Sequence, residues 1–411
     1  MFVTERYIVL GAGECAEPEN RVLTKVAFND TQGSKDFMQH LYPPSRPGQK
    51  PFAERATPPE IKEELRKALL RLFELRDRYD AITIGSWLSL KSSASRDRDI
   101  PAAGYGVIAN YAPYFNWNGI RLYEDICSFL LDSEHIDQRA RPALKRVYVR
   151  NDTSLAALGE YHWRLARRAL ASPEDMLHID LEADSEKDAT RRAGRQATLA
   201  YVKLSTEVNA AVAFEGDLLG GKNHPYVHIV RPPRYQTYDG EFDKFRGVCQ
   251  YHLDCYAGLV SGRAIQKRLD ELYRLPAEHL ARLDECDRRP GLPATQYSRN
   301  HPIWELVCYY MAHLCTVVLA THVPSLIVIG GRYIHDRLDP DETERALPQR
   351  IGAELVRQLS LDKPSVEVPH YPDLQRTDDF IQRALCELPG VYGALVLGAR
   401  KIGLSGRERA N

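Results

Sequence analysis

Cys249, His252 and Cys255 stand three residues apart in the run Gly-Val-Cys-Gln-Tyr-His-Leu-Asp-Cys (residues 247–255). Two thiolates and an imidazole on one tight turn supply three of the four ligands that tetrahedral zinc takes. His228, 21 residues upstream of Cys249 in a short apolar run, is the candidate fourth. Four protein ligands leave no open coordination position, so the expected zinc is structural. The plainer alternative is two buried free cysteines beside a surface histidine, and a lone Cys or His would favour it. Three such residues at this spacing argue for metal.

A second place where chemistry could sit is Asn151-Asp152, which ends the strand-like run Arg146-Val-Tyr-Val-Arg. A carboxylate at the end of a buried strand can take a proton from an alcohol held within hydrogen-bond reach. The competing use is structural: Asn or Asp ahead of a helical Ser-Leu-Ala-Ala-Leu run is a common helix N-cap.

These residues need elements to hold them, and the chain alternates β-rich runs with helical periodicity, the pattern of α/β architecture. Arg6–Gly11 and Val22–Phe28 read as paired strands. Glu60 to Tyr79 carries Ile61, Leu65, Leu69, Leu72 and Leu75 at helical spacing, followed by a buried strand at 81–85. A helix over 123–131 precedes the strand at 146–150, and a second series opens with strands at 201–204 and 210–214. A long apolar helix at 305–321, a strand from Leu326 and a last helix at 392–401 complete it. Residues 164–200, dense in charge and free of aromatics, read as a solvated helical insertion.

Composition excludes more than it identifies. At 411 residues with 44% apolar content the chain can bury a large core in two or three domains. Lys plus Arg (55) balance Asp plus Glu (56), so neither nucleic acid nor an anionic membrane is an expected partner. The amino terminus lacks a basic-then-apolar leader, and eight cysteines in so long a chain are not a disulfide scaffold. A reducing cytoplasm is the expected location.

Beyond Cys255 the chain continues Tyr-Ala-Gly-Leu-Val-Ser-Gly-Arg-Ala-Ile, and here it resembles the ROK family of sugar kinases, in its bacterial fructokinase branch. That branch carries C-P-Y-H-G-x-C-L-E-G-x-A-S-G-x-A-I. His301-Pro-Ile-Trp-Glu-Leu is similar to its H-P-x-W-x-L helix start, and Ile327-Val-Ile-Gly-Gly-Arg to its I-x-L-G-G-G turn. Arg150-Asn-Asp-Thr-Ser-Leu-Ala-Ala-Leu-Gly-Glu resembles its N-D-x-N-A-A-A-L-G-E segment, and Leu388-Pro-Gly-Val-Tyr-Gly-Ala-Leu its closing helix. The resemblance implies an actin-like/hexokinase (ribonuclease H-like) fold of two α/β lobes around a cleft, in a homodimer. The lobes would be 1–153, completed by a returning helix at 390–411, and 154–389 with the zinc loop and the charged insertion. It also implies that Asp152 is the base that deprotonates a sugar hydroxyl, that Asn151 orients the sugar, and that the zinc site braces the sugar pocket.

The phosphate-handling residues depart from the family. Kinases of this fold hold ATP on glycine-rich turns, because glycine lets backbone N–H groups converge on an anion. The amino-terminal turn is absent from Met-Phe-Val-Thr-Glu-Arg-Tyr, and the second reads Leu204-Ser-Thr-Glu-Val-Asn-Ala-Ala with every glycine replaced. Glu207 brings negative charge to that turn. ATP–Mg is therefore not expected, although Gly330 and Gly331 still allow close approach of a nucleotide or another flat ligand. The sugar side has drifted too: His224-Pro-Tyr-Val-His228 is a residue short of the family's H-P-E-x-G-H. Trp87, Trp117, Asn118, His224 and Tyr226 are the candidate pocket contacts. Three functions stay open: a repurposed enzyme on a sugar-like or polyol metabolite in the interlobe cleft, a silent pseudokinase acting as sensor or scaffold, and an active fructo- or hexokinase.

Overall fold

The computed structural model describes residues 2–3, 8–9, 12–15, 23–27, 56–75, 79–88, 90–91, 103–109, 115–138, 146–169, 198–214, 216–219, 226–236, 240–274, 283, 285–289, 294–298, 300–335, 347–360, 380–384 and 389–407. They divide into two compact units. Unit 1 comprises 1–196, 213–223 and 388–411; unit 2 comprises 197–212 and 224–387. The division falls later than the 153/154 boundary read from sequence, because the helix that follows Asn151 packs on the carboxyl-terminal helix. Most of the 164–200 insertion lies outside the described residues.

Unit 1 is built on a four-stranded sheet ordered β2-β1-β5-β6, from β1 (Phe2–Val3), β2 (Ile8–Val9), β5 (Ile82–Ser86) and β6 (Val147–Asn151). β1, β5 and β6 run parallel, with Ser86 opposite Asn151. The amino-terminal pairing differs from the sequence reading. β3 (Ala12–Cys15), not the 6–11 run, pairs antiparallel with β4 (Leu23–Ala27), while β2 turns back on β1.

Helix α1 (Pro58–Leu75) opens on a capping box. Thr57 donates its backbone N–H and its hydroxyl to the Glu60 carboxylate at 2.7 and 2.8 Å. Its Ile61, Leu65, Leu69 and Leu72 join α2 (Leu122–Asp132), Ile82, Ile84, Val147 and Val149 in one core. Tyr148, one residue out of phase, faces the other side of the sheet. There α3 (Asp152–Ala169) and the carboxyl-terminal helix, Pro389–Arg407, cross where Gly159 meets Gly393. A Cβ on Gly159 would lie 2.1 Å from the Pro389 carbonyl oxygen, and one on Gly393 would lie 1.8 Å from that of Leu155.

His162 on α3 is buried beside Gly216 and Arg400. Burial first and the Arg400 charge second push its imidazole down to about 4, against a backbone hydrogen bond at Gly216 that raises it. The folded value lies below the unfolded one near 6.5, so the unfolded chain binds more protons between the two. Stability is therefore expected to fall by about 3 kcal/mol as pH drops from 6.5 towards 4. Urea titrations of wild type and His162→Gln across that window check this, the variant giving the flatter profile.

Unit 2 carries β7 (Thr198–Leu204), β8 (Val208–Phe214), β10 (Leu326–Gly330) and β11 (Ile381–Arg383) in the order β11-β10-β7-β8. β7, β10 and β11 are parallel. The end of β8 passes into unit 1, where Ala213 and Phe214 pair with β9 (Asp217–Leu218). Beyond the Cys249–Cys255 loop come α4 (Tyr256–Val260), α5 (Gly262–Leu272) and α6 (Ile303–His322). α7 (Leu347–Ser360) packs on α6, and Pro389–Arg407 is α8. By length and composition α6 is apolar enough to cross a membrane. Most of it is buried, and Trp304, Val307, Met311, Leu314 and Val318 make it the centre of this unit's core.

Candidate functional site

The four residues read as metal ligands come together in unit 2. The ligand atoms of His228, Cys249, His252 and Cys255 all lie within 4.8 Å of one another. Cys249 Sγ is 3.9 Å from His228 Nδ1 and 4.0 Å from His252 Nδ1. The edges of a tetrahedron with zinc bonds to sulfur and nitrogen are about 3.4–3.8 Å, so the cluster could close on zinc with a contraction of about 1 Å or less. Hydrogen bonding from Cys255 first, then from His228 and the Tyr251 and His252 backbone, holds Cys249 well below the usual thiol range. The same pairing pushes Cys255 up.

Local backbone needs explain the loop. Leu253 has φ 44°, and its carbonyl is pressed between two glycines. A Cβ at Gly247 (φ 93°) would come within 1.8 Å of that oxygen, and one at Gly258 within 1.7 Å. Leu253 N–H donates to Cys249 O at 3.0 Å and Val248 N–H to Gly258 O at 2.9 Å, closing the turn that presents both cysteines.

Asp243 pins the chain between His228 and Cys249. Its carboxylate accepts two parallel bonds from Arg268 on α5, at 2.8 and 2.7 Å, and one from the Tyr310 hydroxyl at 2.7 Å. The guanidinium also stacks 4.0 Å over the Phe245 ring. Sequence reasoning missed this network: its members lie 25 and 67 residues apart with no motif to link them.

In unit 1, Asn151 and Asp152 stand at the carboxyl end of parallel β6, 2% and 3% exposed. Asn151 Oδ1 accepts the Thr153 N–H at 3.0 Å, and its amide nitrogen lies 3.4 Å from the carbonyls of both Ser86 and Leu88. It is thus the cap of α3 and a tie to the turn after β5, a structural use that competes with orienting a sugar. Asp152 accepts a bond from the Thr153 hydroxyl at 2.9 Å. Trp117 and Trp87 sit edge to face at 6.3 Å inside the unit 1 core, 1% and 6% exposed. Asn118 follows on the half-exposed turn before Gly119. His224 and the side chain of Tyr226 lie outside the described residues.

Gly330 and Gly331 have a packing role of their own. A Cβ on Gly330 would lie 2.1 Å from the Tyr201 hydroxyl. One on Gly331 (φ 106°) would lie 2.4 Å from the Leu204 carbonyl. The close approach that glycine permits is made here to the protein's own strand β7. At the β7–β8 turn Glu207 pairs with Arg263 at 3.1 Å.

The ROK family model matches residues 178–367. A putative fructokinase of Bacillus subtilis (strain 168) is 30% identical over 134 residues, 32% of this chain and 35% of that protein. The fructokinase of Zymomonas mobilis subsp. mobilis is 30% identical over 138 residues, covering 34% and 38%. The matched stretch is little more than a third of the length of these relatives. In three dimensions the chain is similar to a ROK family glucokinase from Streptomyces griseus, solved with glucose and AMPPNP. The TM-score is 0.51 at 16% identity, over 85% of this chain and 90% of that one. That likeness establishes the actin-like/hexokinase fold.

Proposed function

From a chain that carries a ROK family domain over residues 178–367, we propose a protein that binds a sugar-like or polyol metabolite, with Asp152 as general base and without phosphoryl transfer from ATP. The observation that supports it most is a carboxylate buried at the carboxyl end of a parallel strand and oriented by the Thr153 hydroxyl. That is where ligands of open α/β sheets bind. The fructokinase names of its relatives support a sugar-like ligand. The Glu207–Arg263 pair and the packing of Gly330 and Gly331 against β7 speak against a polyphosphate. His228, Cys249, His252 and Cys255 hold a structural zinc in this reading, and the assembly is a homodimer, which sedimentation checks.

Thermal-shift screening against sugars, polyols and ATP–Mg tests the ligand class: a shift with a sugar or polyol alone is expected, and turnover of ATP would sink the proposal. Asp152→Asn is then expected to lower turnover of the ligand found by about 10²–10⁴-fold while its thermal shift persists. Unchanged turnover would remove Asp152 from the mechanism. A silent binder is the second reading, favoured by the full engagement of the Asn151 side chain with backbone.

A further inference from the structure

In unit 2 the parallel strands β7 and β10 end side by side, with Gly330 opposite Lys203. The turn after β7, Ser205 to Glu207, runs up to the start of the 11-residue helix α5. Carboxyl ends of parallel strands beside a helix start, with a guanidinium at hand, favour an oxyanion when their donors face solvent. Here the donors face inward. Gly262 N–H donates to the Ser205 carbonyl at 2.8 Å, and Ser205 N–H to Glu207 O at 3.2 Å. Ala264 N–H is taken by the Ser261 hydroxyl, the cap of α5. Arg263 Nε donates to Glu207 Oε1 at 3.1 Å, with the carboxylate 15% and the guanidinium 30% exposed. Gly331 closes over the Leu204 carbonyl from the other side.

We infer that Glu207 is a specificity-determining residue, whose carboxylate on Arg263 occupies this corner as an internal anion and so excludes phosphate-type ligands. The inference deepens the proposed absence of ATP chemistry and rests on that reading. Two features give it content. The pair joins residues 56 positions apart, so it ties the β7–β8 turn to α5 and is more than a local contact. The carboxylate also sits where an incoming oxyanion would meet like charge at a few ångströms, and partial burial limits the screening by salt.

The test is Glu207→Gln, which keeps the shape and removes the charge, titrated calorimetrically with inorganic pyrophosphate. Wild type is expected to show no saturable binding, and the variant to bind at least about tenfold more tightly than the wild-type limit. The double variant Glu207→Gln/Arg263→Ala is expected to lose the gain. Circular dichroism confirms that each folds, and Glu207→Asp, which keeps a shorter carboxylate, is expected to gain a smaller part. The inference is overturned if wild type binds pyrophosphate as well as Glu207→Gln does, or if folded variants gain nothing. It is equally overturned if neither single variant folds, because the pair is then structural. Phosphoryl transfer from ATP by the wild-type chain would sink the proposed function whatever the variants do, so the two failures are distinguishable.

Discussion

Stripping with a strong chelator is expected to release one zinc per chain and to lower the unfolding temperature by about 5–10 °C. That corresponds to a few kcal/mol in a unit of this size. The metal would tie His228 to a loop that begins 21 residues later, and an ion bound only by the folded state stabilises it by mass action. The loop also carries internal strain, since Leu253 is held at φ 44° between two glycines. Ligands must be deprotonated to bind metal, so release is expected to become easier as pH falls. Cys255→Ser removes a fully buried ligand and should reproduce the chelated state, whereas replacing Cys127, also buried, should leave the metal in place. Elemental analysis that finds less than about half an equivalent of zinc, with melting unchanged by chelation, would remove the metal from the account.

The His/Cys cluster could be read from sequence because three of its four residues lie within one seven-residue run, and because ligand chemistry restricts the residue types. Alternating strands and helices were legible for the same reason: periodicity is local. What stayed hidden was long-range. Nothing near Glu207 announces Arg263, and nothing near Asp243 announces Arg268 or Tyr310. Register was hidden too. Two apolar runs near the amino terminus suggested a pair, but which residues face each other depends on turns that the apolar pattern does not fix. At the aromatics residue type allows two uses: Trp87 and Trp117 have the chemistry of a sugar platform, and the same rings interlock in the core beneath β5. Gly330 and Gly331 announce close approach in the sequence, and their contact with Tyr201 and Leu204 depends on a strand far away along the chain.

Asp243→Asn is expected to destabilise unit 2 by about 3–5 kcal/mol, the cost of leaving one member of a buried ion pair without its partner. Arg268 and Asp243 are 8% and 7% exposed at their side chains, so solvent cannot replace what the substitution removes. The carboxylate also holds the Tyr310 hydroxyl and the Phe245 N–H, which would keep weaker, neutral partners. Burial raises the Asp243 carboxyl, but Arg268 hydrogen bonds and charge, with Tyr310 and Phe245, leave it below its ordinary value of 3.8. A depressed folded value means that this stabilisation is fully present above about pH 4 and is lost only as pH falls through the folded value. The penalty in Asp243→Asn should therefore be constant from pH 5 to 8. It is measured as the difference in urea midpoints, and a loss below about 1 kcal/mol would mean that water reaches the pair. The double variant Asp243→Leu/Arg268→Met, which removes both charges, is expected to be more stable than Asp243→Asn alone. Because Asp243 anchors the segment leading from His228 to Cys249, the single variant should also give up zinc to a chelator faster than wild type. Equal release rates would confine the pair's effect to α5 and α6.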